Sequence, residues 1–225
     1  MAEQELFAVV TGDIVGSSAL EDAQSRPLPT LIKDLDARLQ IHFGPALHGE
    51  IDVFRGDSWQ LVIREPVQCL RISLFLRALL QSANTPNQVD TRLAIGLGTV
   101  DYLPQAGVAT GNGQAFRLSG ECLESCPTTI RMAVSFAPDI RSELTRALNL
   151  IIQLMDLQIQ RWTGKQAEAV AGALLDYTQR TIAEKWVQEP VSQQAISQHL
   201  EAAGWPGIQA GLGYFEEVLP EILER

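Results

Sequence analysis

The chain has 225 residues with 17 Lys and Arg against 27 Asp and Glu, a formal net charge of −10. That balance favours solubility and excludes a general attraction to nucleic acid or to an anionic membrane surface. With 46% apolar and 20% charged residues the composition is that of a globular protein, long enough for one sizeable core and a smaller second unit.

Phe7 to Val10 is a continuous apolar run that ends at Gly12 and reads as a buried strand. A polar stretch containing Pro27 and Pro29 follows. Leu31, Leu35, Leu39 and Phe43 then recur every four residues, a helix stopped by Gly44 and Pro45. Apolar runs at 51–54 and 60–63 flank Gly56-Asp57, a hairpin pattern. Over 66–83 the spacing is helical again through Val67, Leu70, Leu74, Arg77 and Ala78. A strand interrupted by Gly96 and Gly98 is predicted over 91–102, a glycine-rich loop over 107–112, a short helix over 114–125 and a β-branched strand over 129–136. The order βαββαβ followed by αβ predicts an α+β fold over residues 1–138. It is a ferredoxin-like, cyclase-like palm sandwich with an antiparallel or mixed sheet and helices on one face.

Past Pro138 the pattern is all helical. Ile140, Leu144, Leu148, Ile151, Met155, Ile159 and Trp162 advance by four, four, three, four, four and three. This is a long amphipathic connecting helix over 139–163, and its stripe is a candidate homodimer seam. Gly164 punctuates it. Short helices are predicted around 165–177 and 179–187, and another over 192–203, opened by Ser192 and closed by Gly204. Residues 164–225 thus read as an all-α module of helix-turn-helix type.

The first five residues are polar and acidic, and the longest apolar stretches are broken by Arg71 and Arg77 or by Gln153 and Asp156. Neither a secretory signal nor a membrane span is expected. Cys69, Cys122 and Cys126 are an odd set without a neighbouring histidine, which fits neither a disulfide framework nor a zinc quartet and suits a reducing cytoplasm.

Two strings carry the chemistry: Thr11-Gly12-Asp13-Ile14-Val15-Gly16-Ser17-Ser18 and Arg55-Gly56-Asp57-Ser58-Trp59-Gln60. Each places an aspartate beside glycine at the edge of an apolar strand. Two carboxylates so placed are a seat for Mg²⁺ or Mn²⁺, which such sites share with the phosphates of a nucleotide. The plainer reading of each aspartate is a turn former or a helix cap.

Asp13-Ile14-Val15-Gly16-Ser17-Ser18 resembles the first metal motif of class III nucleotide cyclases, and Gly56-Asp57 the second. The segment 91–98 is similar to the cyclase strand before the nucleotide loop. Gly107-Val108-Ala109-Thr110-Gly111, with Ala115-Phe116-Arg117-Leu118, is similar to the glycine loop and the helix that carries the transition-state arginine. The resemblance implies Asp13 and Asp57 as metal ligands, and Gly12, Ile14, Ser17, Arg55, Gly111 and Arg117 as residues that bind a purine nucleoside triphosphate. It departs from the family elsewhere. The asparagine expected four residues before Arg117 is Gly113, the base-reading lysine falls at Val53, and the loop 108–112 holds no acidic residue. This combination implies a non-catalytic nucleotide- or metal-binding regulator; a phosphoryl-transfer enzyme and a protein-interaction scaffold are the alternatives.

Over nearly its full length the chain also resembles the bacterial SatD family, through Gly12-Asp13-Ile14, Gly56-Asp57-Ser58-Trp59-Gln60 and a C-terminal helix-turn-helix. The segments 178–185 and 191–200 resemble such a pair, with Ala183 as the small packing residue and Ile196 and Leu200 as the buried face. Ser192, Gln193, Gln194, Ser197 and Gln198 would then project towards DNA in transcription regulation. Charge opposes this: from residue 150 onward Arg161, Lys165, Arg180, Lys185 and Arg225 stand against ten acidic residues.

Overall fold

The computed structural model describes residues 5–16, 28–54, 56–83, 89–104, 107–108, 110–140, 142–186 and 190–224. Its sheet holds β1 (Leu6–Val15), β2 (Leu47–Phe54), β3 (Ser58–Ile63), β4 (Asp90–Thr99) and β5 (Met132–Phe136) in the order β2-β3-β1-β4-β5. β1 lies in the middle, antiparallel to β3 and β4, and β4 runs parallel to β5. Covered on both faces, β1 has no solvent side, which explains its unbroken apolar run. The expected mixed α+β sandwich is what forms. The last strand starts later than 129 because Ile130 N–H bonds back to Pro127 O at 2.9 Å in a turn.

Helices α1 (Leu28–Phe43) and α2 (Cys69–Ser82) cover one face, over Ala8, Val10, Leu61, Ile63, Ile95 and Leu97. The opposite face, carrying Phe7, Val9 and Val62, is covered by α3 (Gln114–Ser125) through Ala115. Helices on one face only is therefore corrected to helices on both. The physical reason lies in β4. A Cβ on Gly96 would stand 2.3 Å from Ala115 O and 2.5 Å from Ser119 N, so α3 rests on bare strand backbone.

A third layer lies outside α2. It comprises α4 (Glu143–Ile159), α5 (Gly164–Leu174), α6 (Gln179–Glu184), α7 (Gln193–Ala202) and α8 (Trp205–Leu223). α2 is buried at Cys69, Leu70 and every position from Ile72 to Gln81, as a helix between two layers must be. Its Arg71 reaches outward to Glu216 of α8, with Nε–Oε1 at 2.7 Å and Nη2–Oε2 at 2.9 Å. One apolar core runs from the sheet through α2 into the C-terminal helices.

α8 lies past the last element read from the sequence. Ile208, Leu212, Phe215, Val218, Leu219 and Ile222 form its buried face. Pro206 is tolerated in its first turn, where a missing N–H costs nothing. α8 also corrects the dimer-seam reading of the Ile140-to-Trp162 stripe. Leu148, Met155, Ile159 and Trp162 are buried within the chain. Gly211 of α8 comes so close that a Cβ there would lie 2.8 Å from Met155 Sδ. That stripe is core.

Candidate functional site

Asp13 sits near the end of β1, paired in register with Ser58 of β3 and Arg92 of β4. Alternation along β1 sends Phe7, Val9, Thr11 and Asp13 to the α3 face. There the Asp13 carboxylate is held at two points: Arg92 Nε donates to Oδ1 at 3.2 Å and Nη2 to Oδ2 at 3.0 Å. Its main chain is fixed as well. Thr91 Oγ1 donates to Asp13 O at 2.6 Å and accepts from Trp59 Nε1 at 2.9 Å. Gly12 makes room for that indole, since a Cβ would stand 2.5 Å from Trp59 Cζ2.

Asp57 reaches the same corner through the β2–β3 hairpin. Gly56 takes φ of 87°, a turn conformation that suits glycine, and Ile14 N–H donates to Asp57 O at 3.1 Å. The two expected metal residues are thus neighbours across the β1–β3 pair. Ile14 itself buries its side chain in the core. Ser17 and Arg55, two of the expected nucleotide-binding residues, lie outside the described residues. Beside Asp13 the face continues as a buried polar row, with Gln60 Nε2 donating to Thr11 Oγ1 at 2.9 Å and Thr11 Oγ1 meeting Ser119 Oγ at 2.8 Å.

The glycine loop and Arg117 belong to the other end of the sheet. β1 pairs Leu6 with Thr99 and Asp13 with Arg92. Those ends are about 24 Å apart at the usual strand rise. α3 starts at the Thr99 end, where Arg117 is exposed with Nη1 4.0 Å from Asp101 Oδ2. Arg117 is thus directed to Asp101 and not to the Asp13 corner. The loop amides, expected to be open to an anion, are engaged internally. Val108 N–H donates to the Asp52 carboxylate, Gly111 N–H to Val108 O at 2.8 Å, and Gly113 N–H to Asn112 Oδ1 at 2.8 Å. Gly111 serves packing, because a Cβ would lie 2.2 Å from Phe116 Cζ.

Among the described residues no group of three or more His, Cys, Asp or Glu could hold a metal ion. The cysteines are free thiols; burial, then the neighbouring Cys126, pushes Cys122 up to about 11, and burial raises Cys69 further. In α7 the Ser192 hydroxyl caps the helix, accepting from Ala195 N–H at 3.1 Å. Gln193, Gln194 and Gln198 are exposed and Ser197 half-buried, while Ile196 and Leu200 are buried on the inner face, as read from the sequence.

A cleft of about 1120 Å³ separates α1 from α5 and α6, with Arg38, His42, Lys165 and Lys185 set around Asp34 and Glu168. Burial lowers the pKa of His42, and the positive charges of Arg38 and Lys185 lower it further.

Sequence reasoning missed Arg92. The signal was present as an arginine one residue into an apolar strand, but its meaning depends on which Asp the strand register brings opposite it.

No protein-family model matches the chain, and no curated protein matches it in sequence. Among solved structures it is similar to the guanylyl cyclase domain of the RhoGC fusion protein from the aquatic fungus Blastocladiella emersonii, at 13% identity over 59% of this chain and 79% of that one, with a TM-score of 0.45. It is also similar to the active GGEEF domain of a diguanylate cyclase from Vibrio cholerae, at 11% identity over 58% of this chain and 83% of that one, with a TM-score of 0.42. A third is the adenylyl cyclase CyaB from P. aeruginosa, at 18% identity over 59% of this chain and 78% of that one, with a TM-score of 0.39. Likeness at this level assigns no role to any residue of this chain. No helix of the described residues is long and apolar enough to cross a membrane.

Proposed function

We propose that the chain is a nucleotide- and metal-responsive regulator, SatD-like in pairing a palm with a helix-turn-helix output. The palm takes up a nucleoside triphosphate and a divalent cation at Asp13 and Asp57, and Arg92 holds the seat in the ligand-free protein. The observation that carries this reading is the two-point Arg92–Asp13 ion pair next to the hairpin tip that bears Asp57. A guanidinium in that geometry supplies positive charge and two parallel hydrogen bonds, the same neutralisation a cation would give.

Two carboxylates fit a hard cation only in part, leaving most of an octahedral shell to water and phosphate oxygens. With Arg92 already neutralising Asp13, the native pair would hold Mg²⁺ or Mn²⁺ only together with the triphosphate. The ion, when bound, would withdraw charge from the phosphate oxygens. Arg92, exchanged off Asp13, is free to take a phosphate oxygen pair instead. Support for binding rather than turnover comes from Arg117, which is directed to Asp101, and from the engaged loop amides. A phosphoryl transfer needs such donors at the reacting phosphorus.

Calorimetric titration with Mn²⁺, alone and with ATP or GTP, tests this. The native chain should take up Mn²⁺ only with a triphosphate, Arg92→Ala should take it up alone, and Asp13→Ala under neither condition. Silence of both the native chain and Arg92→Ala under every condition overturns the reading. A cyclic or pyrophosphate product would move it to the enzyme alternative.

The output assigned to α6 and α7 rests on the exposed Gln193, Gln194 and Gln198. α7 contains no Lys or Arg, so phosphate contacts would fall to Lys165, Arg180 and Lys185. Retardation of genomic fragments at low salt that Gln194→Ala/Gln198→Ala abolishes supports DNA as the partner. No retardation leaves the module to protein contacts.

A further inference from the structure

The outward face of α4 carries a second apolar row, distinct from the stripe that α8 covers. Leu150, Leu154 and Leu157 are 58%, 60% and 55% exposed. The other large exposed apolar side chains of the described residues (Ile41, Val53, Tyr102 and Tyr214) sit on separate elements, as is ordinary for a protein surface. Three leucines in line on one helix are not ordinary. Exposed Ala147 extends the row, and exposed Glu143 and Arg161 end it. Glu143, Ala147, Leu150, Leu154 and Leu157 are spaced four, three, four and three along α4, and Arg161 follows in the turn just past its end. This is the a/d repeat of a coiled-coil seam, about 21 Å long from Glu143 to Leu157 at the helical rise.

We infer that this face docks a second copy of the chain, antiparallel, across a two-fold axis. An interface between identical copies must be complementary to itself. The row meets that condition when centred on position 152, midway between Glu143 and Arg161. Glu143 then faces Arg161 of the other copy, Ala147 faces Leu157, and Leu150 faces Leu154; the same layers repeat in reverse beyond the axis. Each layer sets an a position against a d position. A parallel pairing would instead oppose Glu143 to Glu143 and Arg161 to Arg161. The charges therefore select the antiparallel arrangement, and a foreign partner would impose no such symmetry. Glu143 also pairs with Arg146 one turn on, at 3.0 Å between two exposed side chains, a contact weak enough to yield to docking.

Sedimentation equilibrium of the full chain at micromolar concentrations tests the seam, with circular dichroism and melting to confirm the fold. The native chain should be a dimer and Leu154→Glu a folded monomer. Glu143→Arg and Arg161→Glu should each weaken the dimer about tenfold, and the double swap Glu143→Arg/Arg161→Glu should restore it. These charge variants lie on exposed ends of the row, so they test the register even if Leu154→Glu fails to fold. A native chain that stays monomeric overturns the inference and leaves the face to another partner. So does a dimer that survives Leu154→Glu, or a double swap as weak as the single variants.

Discussion

Arg77–Asp90 and Arg92–Asp13 both draw on the start of β4, two residues apart, and both are two-point arginine–aspartate pairs. Their surroundings differ. Arg77 is wholly buried, and its third nitrogen meets Asp156 of α4 at 2.7 Å. Asp90 accepts also from Arg131 Nη1 at 2.6 Å and Thr91 N at 2.8 Å, and Asp156 from Arg131 N at 2.7 Å and Gln160 Nε2 at 2.9 Å. Two arginines and two aspartates make this cluster neutral, and it ties α2, β4 and α4 together. Arg92 and Asp13 keep 21% and 29% of their side-chain surface in contact with solvent and have no such shell of partners among the described residues. A buried charge has nowhere to go when its partner leaves, whereas a half-exposed one can be hydrated or take a new ligand. Identical chemistry is thus a structural tie in one place and, on the function proposed above, an exchangeable contact in the other.

The largest expected effect comes from breaking the tie. Arg77→Met leaves Asp90 and Asp156 buried beside one remaining arginine, and unfolding in urea should show a loss of about 3–5 kcal/mol. A loss below 1 kcal/mol would erase the distinction between the two pairs.

Acid titration sharpens the same contrast. Burial by itself would raise the Asp90 carboxyl; Arg77, with Arg131 and Gln81, outweighs it and holds the group below its ordinary 3.8. With the folded value depressed, the unfolded chain binds the proton first. The stability this gives is complete above the ordinary value and is lost as pH falls through the depressed one. In Arg77→Met the burial cost is met by less positive charge, Asp90 moves upward, and acidification from neutral pH should raise that variant's stability. Arg92→Ala should keep the native acid slope. Urea midpoints across acid pH check all three.

The strands and first four helices were legible because alternation and three-four spacing are local properties. So was the backbone adjacency of Asp13 and Asp57, since each stands beside glycine at the edge of an apolar run. What was not legible depends on neighbours remote in sequence. Arg92 acquires its meaning from the β1–β4 register, and Gly96 from the helix laid over it. The stripe from Ile140 to Trp162 looked free only because α8 was not read. Pro206, Pro220 and four glycines between 204 and 213 resemble breakers, although the helix tolerates them where they fall. The glycine loop misled for a related reason: glycine amides advertise an anion site, yet here Val108 N–H is taken by a carboxylate of β2.

Removing the exchangeable pair should cost little. Arg92→Ala loses a partly solvated contact, so unfolding should change by less than about 1 kcal/mol. Its effect belongs in the Mn²⁺ titration. A stability loss comparable to that of Arg77→Met would make Arg92 a second structural tie and withdraw it from ligand exchange.

The smallest effect concerns a base that has like charges for company instead of an acid. His42 lies on the cleft side of α1, where burial first, and then Arg38 and Lys185, lower its pKa from the ordinary 6.5. A histidine depressed in the folded state binds its proton more readily when unfolded, so its share of stability is full above 6.5 and is lost as pH falls through the lower value. Because His42 is an exposed residue, solvent screens these charges and the slope will be shallow. Arg38→Gln should move the His42 titration upward, read from its imidazole proton resonances, and added salt should move the native protein in the same direction. An unmoved His42 in both Arg38→Gln and Lys185→Gln would assign the shift to burial alone and show that charge around this cleft is fully screened. The buried cluster would then be where unlike charges act strongly, with no counterpart for like charges at the surface.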